Sequence, residues 1–551
     1  MHKQVYDFLH QNGINCSYDE ELDCIILNIP VDGEIFQLLM MFPRYYPYRF
    51  PKVLLVDCKG YKIPHRFTDK SLCLYDLNER LPNPDNYLED ALMTVNRAKE
   101  LLLKSINHDN ILDFHWEAIE YWKSKAKGKV DFLVEDSDTT RLIWASKLIE
   151  DHYIVSDSQE SIKEFVGETY RLLTKNIVYE KALFVNVGKK LLLMIDTIKD
   201  IQGLIPKEDL PLFFNFLIQN DGKGVIIICA DNGKGKCFFS LRIELVSEDI
   251  EYVTENIEEI LELNREQKFV YMECKNFQMR RLFTRGGDGN VNFDKKCLVI
   301  GCGSVGSYLC KAIVDIGIAK SITLLDNDIL SVDNIARHLC GSDHLLFDTY
   351  KVEALKRELN KHYPTLECQT INENIWEYIL YKVEFFDIFD LIFICVGNTV
   401  IEKKMIQMLK ERKIQKDCIF LWVEPYLVAG HALFIQNSID EFTEENIFDC
   451  NGMFKSNVLE NSSQYLKSEA GCQSAYAPYA GFEVQKFVQD VIDLYDRKIY
   501  KNRQKYNYKL TWIGKIKWAR KQHFDIKPMW RAKEDRYIDL KRIDKLDEIS
   551  D

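Results

Sequence analysis

The sequence lacks paired cysteines and long apolar runs. Its 16 cysteines are scattered, and none stands in a Cys-x-x-Cys spacing, which argues against a structural zinc and a thioredoxin-type redox site. No apolar run reaches the roughly 18 residues of a membrane span, and the first residues show no signal-peptide pattern. We therefore expect no zinc, no membrane association, and a cytoplasmic protein whose cysteines are reduced.

The sequence also has no overall excess of basic residues. The formal net charge is −13, which argues against nucleic acid as a partner. Residues 497–536 are the exception, since they are rich in Lys and Arg with Tyr and Trp between them, as nucleic-acid surfaces are. We favour the alternative, a face that docks on an acidic partner or on the protein's own acidic domains.

The length of 551 residues predicts three or four domains at about 150 residues each. We predict one unit at 1–125, a second at 126–290, a third at 291–496 and a basic aromatic tail at 497–551. The second unit alternates strand-like and helix-like patterns without a catalytic or metal-binding constellation. We expect it to be a mixed α/β scaffold.

A glycine-rich turn between two apolar strands is the most specific motif. Strand 297–300 leads through three glycines into a helix, and the next strand ends at Asp326. This order predicts a Rossmann-like nucleotide site in which an acid holds the ribose and the helix N-terminus faces a phosphate. The glycines permit the turn, the close approach of a phosphate and helix–strand packing; they are Gly301, Gly303 and Gly306.

Two cations follow this motif. Arg337 comes shortly after the second strand, and Lys351 begins the next predicted helix. A dinucleotide oxidoreductase needs neither, whereas an enzyme that splits a triphosphate can use both to neutralise the departing pyrophosphate. The alternative is that they are ordinary surface cations.

Together these residues resemble the adenylation domain of the ThiF and ubiquitin-activating (E1) family, which activates a carboxy-terminal glycine with ATP and Mg²⁺. The resemblance implies that Asp326 holds the ribose and that further residues contact the nucleotide, namely Asp328, Asn334, Arg337, Lys351 and Asn398. The family has Asp-Asn where this chain has Gly397-Asn398, which leaves Asp328 or water to place the magnesium.

The same resemblance implies a homodimer through the adenylation domain. In the family an arginine upstream of the first strand can reach the partner's ATP. The candidates are Arg280, Arg281 and Arg285, and the alternative is an ordinary basic linker.

Residues 1–125 present a helix, short strands, Tyr46-Pro47, a cysteine in a loop and further helices. This order resembles the α+β fold of ubiquitin-conjugating (E2) enzymes and aligns Cys73 with their acyl-accepting cysteine. The alternative for Cys73 is a buried thiol between leucines. The family's His-Pro-Asn is replaced by Pro64-His65-Arg66, so His65 either supports the chemistry at Cys73 or holds the fold.

A second candidate acyl acceptor, Cys472, lies in a glycine-flanked segment before a predicted helix, a setting that favours a thiolate. The alternative acceptor in this region is Cys450. One chain with both units resembles the bacterial E1–E2 fusion proteins of CBASS antiphage operons. That family implies that ATP adenylates the C-terminal glycine of a CD-NTase, which then passes to Cys472, to Cys73 and to an acceptor lysine. Two alternatives stay open: a sulfur-carrier activating enzyme and a non-catalytic nucleotide-binding interaction protein.

Overall fold

The computed structural model describes most of the chain in two compact units, residues 1–164 with 174–276 and residues 165–173 with 277–551. No described helix is long and apolar enough to cross a membrane. The described residues are 1–67, 69–76, 80–116, 118–135, 137–170, 172, 175–189, 195–233, 235–246, 256–286, 294–345, 348–437, 442, 444–450, 452–468, 475–501 and 506–543.

The first unit begins with the predicted α+β fold, which is confirmed. Helices α1 and α2 pack against an antiparallel meander in the order β1-β2-β3-β4. Alternate residues of β2 are buried, including Ile25, Leu27 and Ile29, because successive side chains of a strand point to opposite faces. The elements are α1 (His2–Gln11), β1 (Cys16–Asp19), β2 (Cys24–Val31), β3 (Glu34–Met41), β4 (Lys52–Leu55), α2 (Tyr87–Ile106), α3 (Ile111–Trp116) and α4 (Ala118–Lys125).

The rest of the first unit is a closed barrel, a feature that the expectation of a mixed α/β domain did not specify. Its strand order is β10-β11-β5-β7-β6-β8-β9. Its strands are β5 (Gly128–Phe132), β6 (Arg141–Ile149), β7 (His152–Ser156), β8 (Glu180–Gly188), β9 (Lys223–Asp231), β10 (Lys236–Glu244) and β11 (Val270–Asn276). Its helices are α6 (Ile198–Leu204), α7 (Leu210–Gln219) and α8 (Ile257–Leu263), while α5 (Gln159–Thr169) is divided between the two units.

The barrel strands are apolar on both faces. Phe184 and Ile227 belong to one buried cluster, whereas their neighbours Leu183 and Ile226 belong to another, which includes Phe213 of α7. Helix α4 also packs here, because Trp122 is buried and donates its indole N–H to the carbonyl of Ser240 at 2.8 Å. The helix that ends the E2-like fold is thus fixed on the barrel.

The second unit has the predicted Rossmann-like core, which is confirmed. One sheet has the order β14-β13-β12-β15-β16-β17-β20-β21; β14 to β16 are parallel, and the last three strands are antiparallel. The strands are β12 (Lys295–Ile300), β13 (Ala319–Leu325), β14 (Glu367–Ile371), β15 (Leu391–Ile394), β16 (Asp417–Val423), β17 (Ala429–Ile435), β20 (Tyr508–Ile513) and β21 (Ile538–Arg542), with a separate pair β18 (Lys467–Ser468) and β19 (Ala475–Tyr476).

Helices cover both faces of this sheet. Val299 packs in one core and its neighbour Leu298 in another, as expected of a parallel sheet buried on both sides. The helices are α9 (Met279–Gly286), α10 (Ser304–Asp315), α11 (Val332–Ile335), α12 (Lys351–His362), α13 (Ile375–Tyr381), α14 (Thr399–Lys410), α15 (Gly481–Leu494) and α16 (Ile516–Lys521). In such folds ligands bind at the carboxyl ends of the strands.

The segment expected to be a separate basic tail lies in this sheet instead. Strand β20 pairs with β17 and β21 pairs with β20, because the apolar side chains of β20 are buried against α15. Trp512 is fully buried, and its indole donates to Asp490 Oδ2 at 2.7 Å. Two cations of the segment, Lys515 and Arg536, form ion pairs with the buried Glu483 at 3.6 and 2.7 Å. Part of its basic charge therefore faces acids of its own unit.

We predict that Trp512→Ala destabilises the second unit by about 3–5 kcal/mol, because a fully buried aromatic side chain would leave a cavity. The measurement is the denaturant midpoint of that unit's unfolding transition. Trp518→Ala is the matched control, since Trp518 is 37% exposed, and should cost less than half as much. Equal effects would contradict the central place of β20.

Candidate active sites

The glycine turn after β12 is crowded at two of its glycines. Gly301 has a φ of +87°, and a Cβ there would lie 2.8 Å from the carbonyl carbon and oxygen of Cys395. A Cβ on Gly306 would lie 1.9 Å from the carbonyl oxygen of Gly301. Gly303, which precedes α10, has open space where its Cβ would be. The first and third glycines are therefore required by packing, while the second faces the site.

The peptide of Cys302, inside this turn, is held from both sides. Asp326 Oδ2 accepts its N–H at 2.7 Å, and His338 Nε2 donates to its carbonyl at 2.8 Å. The tautomer of His338 follows from its other nitrogen, because Nδ1 accepts the N–H of Cys340 at 3.0 Å. Asp326 also accepts the N–H of Asp328 at 2.8 Å. Both side chains fix the turn before any ligand binds.

Burial favours the neutral forms of the His338 imidazole and the Asp326 carboxyl group. It lowers the pKa of His338 to about 4 and raises the pKa of the Asp326 carboxyl above its ordinary value. Sequence reasoning did not single out His338. Its position beside Arg337 was the available signal, but its partner Cys302 lies 36 residues away.

A cavity of about 320 Å³ opens beside the turn. Four predicted residues line it, namely Gly303, Asn334, Arg337 and Lys351, together with Gly397 and side chains that were not predicted, including Trp422 and Tyr479. Arg337 donates from Nη1 to the carbonyl of Ala477 at 3.0 Å, and its guanidinium lies 4.9 Å from the centre of the Tyr479 ring. The cavity thus joins a helix N-terminus to two cations, a setting suited to an anionic ligand.

Lys351 is buried and its Nζ lies 2.6 Å from Asp328 Oδ2. The Asp328 side chain is itself 61% exposed, so a carboxylate is accessible at the edge of the turn. Mg²⁺ is commonly held by one or two carboxylates together with phosphates and water. Asp328 fits that requirement, although no cluster of three or more metal-ligating side chains occurs among the described residues.

Five other residues that were predicted to contact the nucleotide are not among the described residues that line this cavity: Gly301, Gly306, Asp326, Asp328 and Asn398. Asn398 instead caps α14, where its Oδ1 accepts the N–H of Val400 at 3.0 Å. In the same helix Glu402 is 2% exposed, and burial raises its pKa to about 7. Asn398 therefore has a structural role here, and its contact with a nucleotide stays a prediction.

The candidate arginines for a partner's site all lie on α9, where Arg280, Arg281 and Arg285 are exposed. Their action across a dimer stays a prediction. Cys472 lies outside the described residues, so its role as an acyl acceptor also stays a prediction. Ala477 and Tyr479, which follow Cys472 closely in the chain, contact Arg337.

Cys73 of the first unit is exposed, so the alternative of a buried thiol is wrong. It lines a cavity of about 380 Å³ together with His65, Cys58 and residues of α4. The backbone N–H of Cys73 donates to the carbonyl of His65 at 2.7 Å. The imidazole Nε2 of His65 lies 3.2 Å from Asp113 Oδ2, a carboxylate that sequence reasoning missed. The site offers an accessible thiol beside a histidine–carboxylate pair.

Comparison with known proteins finds two family matches in separate parts of the chain. Residues 278–507 match the ThiF family, and residues 10–130 match prokaryotic E2 family B. An "ATP-dependent ubiquitin transferase-like protein Cap2" of Pseudomonas aeruginosa is 36% identical over 80 residues, and a protein of the same name from Enterobacter hormaechei is 29% identical over 102 residues.

These segments cover 14% and 18% of this chain and 14% and 16% of the relatives' own lengths. A crystal structure of selenomethionine PaaA is similar over 48% of this chain and 75% of that one, with a TM-score of 0.30 and 14% identity. That last similarity supports no conclusion about fold or function.

We predict that the contribution of His338 to the free energy of unfolding of the second unit falls in acid. The folded-state pKa is about 4 and the ordinary value is about 6.5, so the unfolded chain binds the proton first as pH falls. The stabilising contribution is complete above about pH 7 and is lost progressively between about pH 6.5 and 4. Measured by denaturant unfolding, the advantage of wild type over His338→Gln should shrink by about 2.5 kcal/mol between about pH 7 and 4.5. A constant difference would contradict this assignment.

We further predict that two glycine substitutions separate folding from ligand binding. Gly306→Ala should destabilise the second unit, because its Cβ would overlap the Gly301 carbonyl. Gly303→Ala should leave the unfolding transition unchanged but weaken ATP binding, because its new methyl group would enter the cavity. Calorimetric titration with ATP and thermal unfolding measure the two effects. Normal ATP binding by Gly303→Ala would show that phosphate does not approach this peptide.

Proposed function

We propose that the chain is an E1–E2 fusion of the bacterial type and acts as an ATP-dependent ubiquitin-transferase-like enzyme, because residues 278–507 match the ThiF family and residues 10–130 match prokaryotic E2 family B. It activates a C-terminal carboxylate as an adenylate, carries the acyl group as a thioester and transfers it to an amine. The proposed substrate is the C-terminal glycine of a CD-NTase, and the proposed acceptors are lysine side chains. The proposed setting is CBASS antiviral signalling in the cytoplasm.

One observation carries the proposal. The same chain has a cavity with a glycine turn, Arg337 and Lys351 in its ThiF-type unit, and an exposed Cys73 in its E2-type unit. Neither half suffices alone, because the first can only activate a carboxylate and the second can only hold one that is already activated. A sulfur-carrier activating enzyme would use the first half and leave Cys73 without a purpose.

In the adenylation step, a carboxylate oxygen of the substrate attacks the α-phosphorus of ATP, and pyrophosphate leaves. The N-terminus of α10 and the cations Arg337 and Lys351 are suited to neutralise the charge that develops on pyrophosphate. Asp326 would hold the ribose, and Asp328 would hold Mg²⁺, which adds positive charge beside the phosphates when bound. Lys351 already orients that carboxylate at 2.6 Å.

In the transfer steps, the thiolate of Cys472 displaces AMP from the acyl-adenylate, and the thiolate of Cys73 then displaces Cys472. An amine finally takes the acyl group from Cys73 and forms an isopeptide bond. No later step needs ATP, since the adenylate, thioester and amide decrease in reactivity in that order. The proposal includes a homodimer in which Arg280, Arg281 or Arg285 reaches the partner's nucleotide.

We predict that Arg337→Ala lowers ATP–pyrophosphate exchange by at least about 100-fold, because it removes a charge needed in the transition state. The assay follows labelled pyrophosphate entering ATP in the presence of a CD-NTase that ends in glycine. Arg357→Ala is the matched control, since Arg357 lies on α12 with its side chain 45% exposed. Retained exchange in Arg337→Ala would refute the adenylation role of this cavity.

We predict that the two cysteines trap different intermediates. Cys472→Ala should form AMP but no thioester, because it removes the thiol that first accepts the acyl group. Cys73→Ala should stop at a thioester on Cys472. The thioesters are detected on non-reducing gels with a labelled CD-NTase, and Cys450→Ala is the control because Cys450 is also exposed. Normal conjugation by Cys73→Ala would show that the first unit only binds its partners.

A further inference from the structure

We propose that Trp422 is a specificity-determining residue of the adenylation site, because its ring leaves room there for a terminal glycine but not for a terminal residue with a side chain. The inference rests on the proposed function, since it takes the second reactant to be a C-terminal carboxylate. Its structural basis is an aromatic ring, fixed by its neighbours, that lines the same cavity as the glycine turn.

The order of the strands assigns the two sides of this site to different reactants. The carboxyl ends of β13, β12, β15 and β16 follow one another along the sheet. Asp326, the proposed ribose ligand, follows β13, and the glycine turn follows β12, whereas Trp422 and Val423 end β16. Neighbouring strands lie about 4.8 Å apart, so the end of β16 is about 10 Å from the end of β12, on the side away from β13. The nucleotide therefore extends toward β13, and the space beside β15 and β16 is left for the carboxylate.

A residue without a side chain stands between the glycine turn and Trp422. Gly397 follows β15 closely and lines the cavity, and a Cβ on it would have open space around it. An extended backbone can lie over this position, because no side chain extends from it. The C-terminus of a substrate thus has a path toward the phosphates between Gly397 and the ring of Trp422.

The ring of Trp422 is fixed by contacts with three other side chains. It lies nearly parallel to the buried Phe454, at 3.9 Å between ring centres, and to His431, at 5.2 Å. Its indole N–H donates to Asn457 Oδ1 at 3.4 Å. His431 is directly opposite Trp422 in the pairing of β16 with β17, a position in which side chains pack closely. Because a shift of the ring would disturb all of these contacts, the wall resists a larger substrate.

His431 is held in turn by a buried polar network. It has no exposed surface, and its Nε2 donates to Oε1 of the buried Glu424 at 2.7 Å. The carboxylate of Glu424 also accepts the N–H groups of Val458 and Leu459 at 2.6 and 2.9 Å. A buried network whose groups are satisfied is rigid. The support behind Trp422 is therefore as firmly placed as the ring itself.

The chemistry of this wall suits a substrate backbone rather than a phosphate. Leu421, Trp422 and Val423 line the cavity, and the one polar atom among their side chains, the indole nitrogen, already donates to Asn457. Apolar walls do not compensate a phosphate for its lost hydration, whereas the methylene of a terminal glycine needs no compensation. Alanine or leucine would add carbon atoms against a fixed ring, and overpacking of this kind is unfavourable.

The test compares terminal residues in the ATP–pyrophosphate exchange assay with the full-length protein. The substrates are the CD-NTase that ends in glycine and the same protein with its last residue changed to alanine or leucine. We expect wild type to use the alanine-ended protein with a kcat/KM at least about 10-fold lower, and the leucine-ended protein with a lower one still. Trp422→Ala should reduce the glycine-to-leucine ratio by at least about 10-fold. Its affinity for ATP, measured by calorimetric titration, should stay unchanged.

The matched control is Trp376→Ala. Trp376 is a partly buried tryptophan of the same unit that lines a different cavity, so its replacement should change neither the ratio nor the affinity for ATP. Where thermal unfolding shows that Trp422→Ala does not fold, Trp422→Phe decides, because it keeps a smaller ring beside Phe454. We expect Trp422→Phe to lower the glycine-to-alanine ratio by at least about 3-fold.

Three results would overturn the inference. They are equal use of the three substrates by wild type, an unchanged ratio in a folded Trp422 variant, and loss of ATP binding in a folded Trp422→Ala, which would place the ring beside the nucleotide instead. Absence of exchange by wild type with the glycine-ended protein is a separate result, and it would overturn the proposed function.

Discussion

The crowded turn after β12 is the constraint on which the ThiF-type unit depends. Gly306 fits against the Gly301 carbonyl only because neither glycine has a side chain, and this contact brings α10 onto the carboxyl end of the sheet. The Cys302 peptide is then fixed by a carboxylate on one side and an imidazole on the other. A helix N-terminus held this firmly can stabilise an anion without reorganising.

In both sites, the parts that sequence reasoning predicted are those that a short local stretch of sequence determines. The order of strand, glycines, helix and acid lies within about 30 residues, and its local geometry follows from steric rules. His338 and Asp113 could not be found in this way, since their partners Cys302 and His65 lie 36 and 48 residues away. Each is an ordinary polar residue until the fold brings it to the site.

The same limit explains the errors in the fold. An apolar run such as 225–230 predicts a buried strand but does not say which strands flank it, so the closure of the barrel was not foreseen. Composition suggested a basic tail because Lys and Arg dominate residues 497–536. Trp512 and its buried neighbours place this segment in the sheet instead, because a strand is positioned by its apolar face while its cations can remain at the surface.

The two sites are built for different demands. The cavity beside the glycine turn has buried polar groups with fixed partners, as charge stabilisation requires, whereas Cys73 is exposed and lines a second cavity. Arg337 lines the first cavity and also contacts the segment that follows Cys472. A guanidinium has five N–H donors, and a single hydrogen bond, from Nη1, joins Arg337 to Ala477. Arg337 donates no other side-chain hydrogen bond among the described residues, so we propose that its remaining donors bind a phosphate while Nη1 holds Ala477.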